Sequence, residues 1–169
     1  MTALITYFVT ALVVSFLCSL LESVLLSISI THVSVLEKNG SHSGKIMAEL
    51  KENINRPLAA ILTINTIANT VGAAGVGAQT MNLYGNEWVA FASGILTLSI
   101  LIFSEIIPKT IGTLYNKSLA SFTAYTIRSL MIIAYPFVLL SESMTSLIQA
   151  GENGGESKAS RQELLAMAE

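Results

Sequence analysis

Three long runs of apolar residues, separated by short polar stretches, dominate the first two thirds of the chain. Residues 3–31 contain no Lys, Arg or Pro and a single acid, Glu22. The second run covers about 57–82 and is rich in Gly and Ala; the third covers about 88–107 and stops at Pro108. Because about 20 apolar residues suffice to cross the core of a bilayer, each run predicts a transmembrane helix.

The segment 32–56, between the first two runs, is polar. Residues 39–41, Asn-Gly-Ser, predict a turn. After this turn, Ile46, Met47 and Leu50 repeat at helical spacing, which predicts a short amphipathic helix at the membrane interface.

Positive charges orient the predicted spans, because cytoplasmic loops are enriched in Lys and Arg. The 32–56 segment carries four such residues, whereas the polar turn 82–87 carries none. Lys109 and Lys117 follow the third run, and two more positive charges, Lys158 and Arg161, lie near the C-terminus. This pattern predicts a multi-pass membrane protein with its N-terminus outside and its C-terminus in the cytoplasm. We expect it in the plasma membrane.

The apolar segment 118–149 leaves two interpretations open. It is interrupted by Arg128, Pro136 and Glu142, so it is either a fourth span or a kinked helix lying at the interface. A fourth span would place the positively charged tail outside, against the charge rule. The pattern therefore favours three spans and a kinked juxtamembrane helix.

The last part of the chain differs in composition from the rest. Residues 151–160 are rich in Gly and polar side chains, as in a flexible linker. Residues 160–163, Ser-Arg-Gln-Glu, then resemble a capping box that opens a helix. We expect 1–150 to form a transmembrane domain, and 151–169 to form a linker and the start of a missing cytoplasmic region.

Composition supports a membrane protein and argues against several functions. Of the 169 residues, 52% are hydrophobic and 12% are charged, about half the charged fraction of a soluble domain. The net charge of -2 offers no basic surface to nucleic acid. The single cysteine, Cys18, excludes an internal disulfide and a thiolate zinc cluster. No predicted span contains a histidine to activate a serine, and no P-loop is present, so we do not expect an enzyme.

Glu105, near the end of the third run, is the strongest indication of function. A carboxylate at membrane depth is costly, so it marks a functional site. Pro108 has no N–H, so the carbonyl of Ser104 loses its usual helical partner. Free carbonyls at helix breaks in membranes can coordinate ions. The alternative is that Glu105 pairs at the interface with Lys109, one turn later.

The first span carries a polar stripe. Ser15, Ser19, Ser23 and Ser27 recur every four residues, with Glu22 beside them. Serines in membrane helices also bond to their own backbone or join helices, so each one alone indicates packing. The stripe as a whole favours a polar path.

The second span contains Asn65 and Asn69, four residues apart on one face. They predict either interhelical hydrogen bonds or two amide oxygens offered to a cation. With Glu105, the candidate ligands are all oxygen atoms, which suits a hard cation such as Mg²⁺, Ca²⁺ or Na⁺. His32 and His42 lie in the polar segment and are interpreted as solvated.

Three motifs resemble those of the CorC/cyclin-M magnesium transporters. Residues 19–27, SLLESVLLS, resemble the first-helix motif SxSETALxS of this family. Residues 65–69, NTIAN, resemble its paired asparagines, and 104–109, SEIIPK, resemble its GEIIPK motif. The motifs occur in the family's order and spacing, and the match runs over most of 3–150.

The resemblance implies an all-α membrane protein: a homodimer in the lipid bilayer with three transmembrane helices plus a kinked juxtamembrane helix per subunit. It implies Mg²⁺ export coupled to Na⁺ uptake, with no nucleic-acid partner. The family's ion-binding positions correspond to Ser19, Ser23, Asn65, Asn69, Glu105 and the main chain at Ser104. Glu22 and Pro108 are expected beside these ligands.

The sequence departs from the family pattern in two motifs. Leu21 replaces a small polar residue, and Ser104 replaces a glycine that permits close approach of the main chain. The nucleotide-binding CBS domains that usually follow in the family are not in this sequence, so regulation by ATP is not predicted.

Transport is one of three functions compatible with this pattern. A membrane sensor or scaffold that binds Mg²⁺ and signals to a cytoplasmic partner would need the same ligands. A structural membrane anchor would need no ion site. Ion flux through the protein in liposomes separates the first two hypotheses.

Overall fold

All the regular secondary structure in the described part of the chain is helical. The computed structural model describes residues 1–140; the predictions for the linker and the last 29 positions lie outside this range. In chain order the elements are α1 (Thr2–Ser27), α2 (Ile30–Lys38), α3 (His42–Glu52), α4 (Asn55–Tyr84), a 3-10 turn (Asn86–Trp88), α5 (Val89–Ser99), a π-helix (Ile100–Ile106), α6 (Ile107–Leu114) and α7 (Asn116–Ile133). The predicted all-α class is confirmed.

Three helical segments within residues 1–140 are long and apolar enough to cross a membrane. They are Thr2–Ser27, Asn55–Tyr84 and Asn86–Leu114, of 26, 30 and 29 residues. The second and third contain the predicted runs 57–82 and 88–107, whereas the first ends at Ser27, four residues before the end of the predicted run 3–31. The polar turn between the second and third begins later than predicted, at Gly85, whose φ of 95° is a conformation that favours glycine.

The third span continues past Pro108 because a π-helix precedes the proline. At the end of the π-helix, the N–H of Ile107 bonds to the carbonyl of Ile102, five residues earlier. In a regular α-helix the proline ring would clash with the carbonyl four residues before it, and the wider π turn relieves that clash. The chain then resumes an α-helix to Leu114. The prediction that the span stops at Pro108 is therefore wrong.

The polar segment between the first two spans folds as two short helices, α2 and α3, which pack against each other. The predicted turn lies between them at Gly40, with φ of 75°. The predicted helix is α3, and Ile46, Met47 and Leu50 are buried. Helix α3 packs against α7, and these three residues share the main hydrophobic core with residues of α1, so this apolar face is covered by protein. Helix α2 was not predicted.

Helix α1 lies at the centre of the fold. It packs against α4, α6, the π-helix and α7. Leu21, Val24 and Leu25 are each 0% exposed, and Leu21 and Leu25 share a core with residues of α3, α4 and α7. All three sequence motifs therefore meet around one central helix.

Helix α7 ends before Pro136, which cannot donate the next helical hydrogen bond. Ala134 forms a turn, and the amides of Phe137 and Val138 donate to its carbonyl at 2.9 and 3.0 Å. Residues 135–140 are again helical. The juxtamembrane placement of this segment, like the membrane orientation, stays a prediction.

Lys51 of α3 caps the C-terminal end of α1. Its ammonium group donates to the carbonyl of Ile28, where the helix dipole favours a cation, and partial burial lowers the pKa of Lys51. We expect Lys51→Met to lower the free energy of unfolding by about 1 kcal/mol, measured as a lower Tm in detergent. Lys45→Met, on the exposed side of the same helix, should leave Tm unchanged. Equal losses in the two variants would contradict the capping role.

Candidate cation site around the first helix

Helices α1 and α6 meet at Ser23. Its Oγ donates to the carbonyl of Lys109 at 2.6 Å and lies 3.0 Å from Oγ1 of Thr113. Gly112 makes this approach possible, because a Cβ there would lie 2.8 Å from Cβ of Ser23 and 2.9 Å from the carbonyl oxygen of Leu20. A hydroxyl that donates its proton keeps acceptor lone pairs. Ser23 can therefore join two helices and still bind a cation.

Ser104 ties the π-helix to α1. It is 0% exposed, and its Oγ donates to the carbonyl of Leu12 at 2.9 Å. This hydroxyl occupies the position where the family motif has glycine, and its polar atom is satisfied by the neighbouring helix. The main-chain carbonyl of Ser104 as an ion ligand stays a prediction.

Glu105 follows Ser104 in the π-helix and is partly exposed. Within residues 1–140, its carboxylate makes no hydrogen bond or ion pair. The alternative pairing with Lys109 is not observed, because Nζ of Lys109 lies 3.9 Å from Oε2 of Glu22. Glu22 thus has a cationic partner, while Glu105 is left without one in a membrane-spanning segment, where an unpaired charge is costly.

Asn65 and Asn69 contact each other along α4. Nδ2 of Asn69 lies 3.4 Å from Oδ1 of Asn65, which is long for an N–H···O hydrogen bond. In this arrangement Oδ1 of Asn69 is buried and has no hydrogen-bond partner. One of the two predicted amide ligands is therefore an unsatisfied oxygen atom.

The serine stripe and the asparagine pair lie on two helices that pack against each other, α1 and α4. Helices α1 and α4 pack closely, and Gly72 lies so near Ala11 that a Cβ on it would be 2.4 Å from Cβ of Ala11. Because the two helices run antiparallel, two further turns along each place Ser19 at the level of Asn65. Ser19 is buried, at 2% exposure. The structure thus packs the two other spans that carry candidate ligands against α1, although direct contacts of Glu105 with the asparagines are not among those observed.

Neutral oxygen atoms dominate this region. Between residues 1 and 140, no group of three or more His, Cys, Asp or Glu residues is placed to hold a metal ion. A cation here would meet hydroxyl, amide and main-chain oxygens, with Glu105 as the anionic ligand. Hard cations favour such oxygen ligands.

Sequence reasoning missed three contributors to this region: the carbonyl of Lys109, the hydroxyl of Thr113 and the close contact at Gly112. Thr113 also donates to the Lys109 carbonyl, at 2.8 Å, as a threonine does to its own helix. The available signal was a glycine followed by a threonine one turn after the SEIIPK motif. Small and hydroxyl residues of this kind line the contacts between membrane helices.

Residues 6–169 match the family described as the cyclin M transmembrane N-terminal domain. The UPF0053 protein sll1254 of Synechocystis is 35% identical over 136 residues, which are 80% of this chain and 39% of that protein. A UPF0053 protein of Haemophilus influenzae is 33% identical over 150 residues (88% and 36%). The UPF0053 inner membrane protein YfjD of Escherichia coli is 32% identical over 113 residues (67% and 26%). The chain therefore spans about a quarter to two fifths of the length of these relatives.

Proposed function

Since this chain belongs to the family of cyclin M transmembrane N-terminal domains, we propose that it carries Mg²⁺ across the membrane. The proposed direction is export, coupled to Na⁺ uptake. The family is consistent with a role in metal-ion transport, and the choice of Mg²⁺ rests on the motifs around α1 and their all-oxygen chemistry.

The carboxylate of Glu105 is the observation that carries this proposal. It lies in a π-helix, a rare geometry that is frequent at functional sites. It has no cationic partner within residues 1–140, although Lys109 follows one turn later. A charge of this kind in a membrane span needs a counter-charge, and a divalent cation passing through would supply one.

The other proposed ligands come from all three spans. Ser19 and Ser23 supply hydroxyl oxygens from α1, Asn65 and Asn69 supply amide oxygens from α4, and the third span supplies the main chain of Ser104 with the carboxylate of Glu105. Mg²⁺ sheds its water reluctantly, so one carboxylate among neutral oxygens suits an ion that must also be released. Na⁺ is a hard cation too and can compete for the same oxygens.

The proposed assembly is a homodimer in the plasma membrane, with the N-terminus outside and a kinked juxtamembrane helix after the third span. The charge pattern supports the orientation. A relative, YfjD, is described as an inner membrane protein, which supports the location.

Flux through the purified chain in liposomes tests the proposal. With Mg²⁺ inside the vesicles, we expect Mg²⁺ efflux above that of protein-free vesicles, and faster efflux with Na⁺ outside only than with equal Na⁺ on both sides. Measuring Mg²⁺ binding on the same preparation then separates a transporter from a sensor and from a structural anchor. Mg²⁺ binding without flux would overturn transport in favour of a sensor, and the absence of binding would leave a structural anchor.

A further inference from the structure

An open cavity of about 620 Å³ lies between α3, the start of α4, and α7 with the residues that follow it. This volume is within the range of small-molecule sites. The described residues that line the cavity lie outside the three sequence motifs. The cavity is therefore separate from the candidate cation site, and the proposed transport of Mg²⁺ makes no use of it.

Part of the lining carries charges of both signs. Glu49 and Glu52 come from α3, Arg56 comes from the first turn of α4, and Arg128 comes from α7. Nη1 of Arg128 lies 3.8 Å from Oε2 of Glu49, and the two side chains are 55% and 68% exposed. An ion pair with this exposure contributes little to stability. Both groups can therefore turn to a ligand that offers each of them the opposite charge.

Much of the remaining lining is apolar. Ile132 and Leu139 line the cavity, although they are 73% and 44% exposed. Tyr135 lies between them in the chain and also lines the cavity; tyrosine is enriched where a membrane meets water. A molecule in this cavity would meet charged groups and an exposed apolar surface together, which suits an amphiphile.

The second span places the cavity at the level of a membrane surface. Arg56 and Pro57 line the cavity and belong to the first turn of the span Asn55–Tyr84. A helix of 30 residues is longer than the hydrocarbon core of a bilayer is thick, so its ends lie among the lipid headgroups. The amphiphiles at that level are phospholipids, and arginine is well suited to bind their phosphate groups.

The sign of the charges selects among phospholipids. The two arginines attract a phosphate, but the two glutamates oppose a ligand with a net negative charge. A headgroup that carries an ammonium beside its phosphate matches both signs.

We propose that this cavity binds one zwitterionic phospholipid with a primary ammonium, a phosphatidylethanolamine. Its phosphate pairs with the guanidinium of Arg128, its ammonium pairs with the carboxylate of Glu49, and an acyl chain lies along Ile132. The headgroup replaces one exposed ion pair with two charge-assisted contacts, and the acyl chain covers apolar surface. This inference does not depend on the proposed transport.

Native mass spectrometry of the detergent-purified chain, titrated with dioleoyl phosphatidylethanolamine, tests the proposal. Arg128→Gln should bind this lipid about tenfold more weakly, the effect of losing one charge-assisted contact. Lys117→Gln is the matched control, because it removes an exposed positive charge from the same helix at a position that does not line the cavity. It should bind the lipid as the wild type does. Equal affinities of Arg128→Gln and wild type would overturn the site and assign the bound lipid to the non-specific shell around the protein.

Glu49→Gln tests the ammonium contact through lipid preference, which a merely structural role would not change. The wild type should bind phosphatidylethanolamine about tenfold more tightly than phosphatidylglycerol, which has the phosphate but no ammonium. Glu49→Gln should lose this preference. A wild type that prefers phosphatidylglycerol, or an unchanged preference in the variant, would overturn the proposed headgroup.

Water-soluble glycerophosphoethanolamine separates a lipid site from a site for a free phosphoester. It carries the same charges without acyl chains, so it should not bind at the concentrations at which the lipid binds, because it buries no apolar surface. Equal binding of this compound and the lipid would overturn the proposal in favour of a soluble ligand.

Discussion

Replacing Glu105 with Gln is expected to lower the affinity for Mg²⁺ by about 100-fold or more, because it removes the anionic ligand from an otherwise neutral set of oxygens. The amide has nearly the same shape as the carboxylate, so the helix contacts around the π-helix should persist. Calorimetric titration of the purified protein with Mg²⁺, with and without Na⁺, measures the change. The same variant should abolish the Na⁺-driven efflux from liposomes.

A charge-matched control makes this result specific. Glu37→Gln also removes one negative charge, but on the exposed surface of α2, and should leave Mg²⁺ affinity unchanged. The ion-free Tm of Glu105→Gln should not fall, since its carboxylate has no partner within residues 1–140 to lose. Wild-type binding and flux in Glu105→Gln would rule out this carboxylate as the main ligand.

The three spans could be predicted from sequence because the signal for a membrane helix is a run of apolar residues, which does not depend on tertiary contacts. The position where the third span ends could not be predicted in this way. A proline indicates the end of a helix, but here the π-helix before it accommodates the ring and the span continues to Leu114. A proline in the sequence does not by itself distinguish a helix that stops from one that widens before it.

Helix α2 was missed for a different reason. Its nine residues mix apolar and polar side chains without a long periodic pattern. It is held by a cap, in which Oγ of Ser29 accepts from the N–H of His32, and by packing against α3. Most helical stability in proteins comes from such tertiary packing, which a short window of sequence does not contain.

The candidate ligands could be named from sequence, but their partners could not. The four-residue spacing placed Ser15, Ser19 and Ser23 on one face of a helix. Their different environments depend on the helices opposite: Ser23 meets a carbonyl of α6, while Ser15 meets no partner. The pairing of Lys109 with Glu22 in place of Glu105 likewise arises from the packing of α6 on α1. Long-range register, absent from local patterns, decides which polar atoms remain available to an ion.

The placement of α6 against α1 depends on a close contact at Gly112. Gly112→Ala is therefore expected to be the most damaging small substitution in the third span. The added Cβ would lie 2.9 Å from the carbonyl oxygen of Leu20, a backbone atom that cannot rotate away. Helix α6 must therefore move from α1, at a cost of about 1–3 kcal/mol for overpacking. The 2.6 Å hydrogen bond from Ser23 to the Lys109 carbonyl would be strained or lost with it.

Gly94→Ala provides the comparison, because Gly94 lies in the same span and a Cβ there meets nothing within 4 Å. Alanine is the better helix former by about 1 kcal/mol, so this variant should have the same Tm as wild type or a higher one. Gly112→Ala should lower Tm in detergent and also weaken Mg²⁺ binding, because the site is assembled from helices that must stay in contact. Equal Tm values for the two alanine variants would show that α6 tolerates displacement. A loss of Tm without a loss of Mg²⁺ affinity would show that the contact between α1 and α6 stabilises the fold without shaping the site.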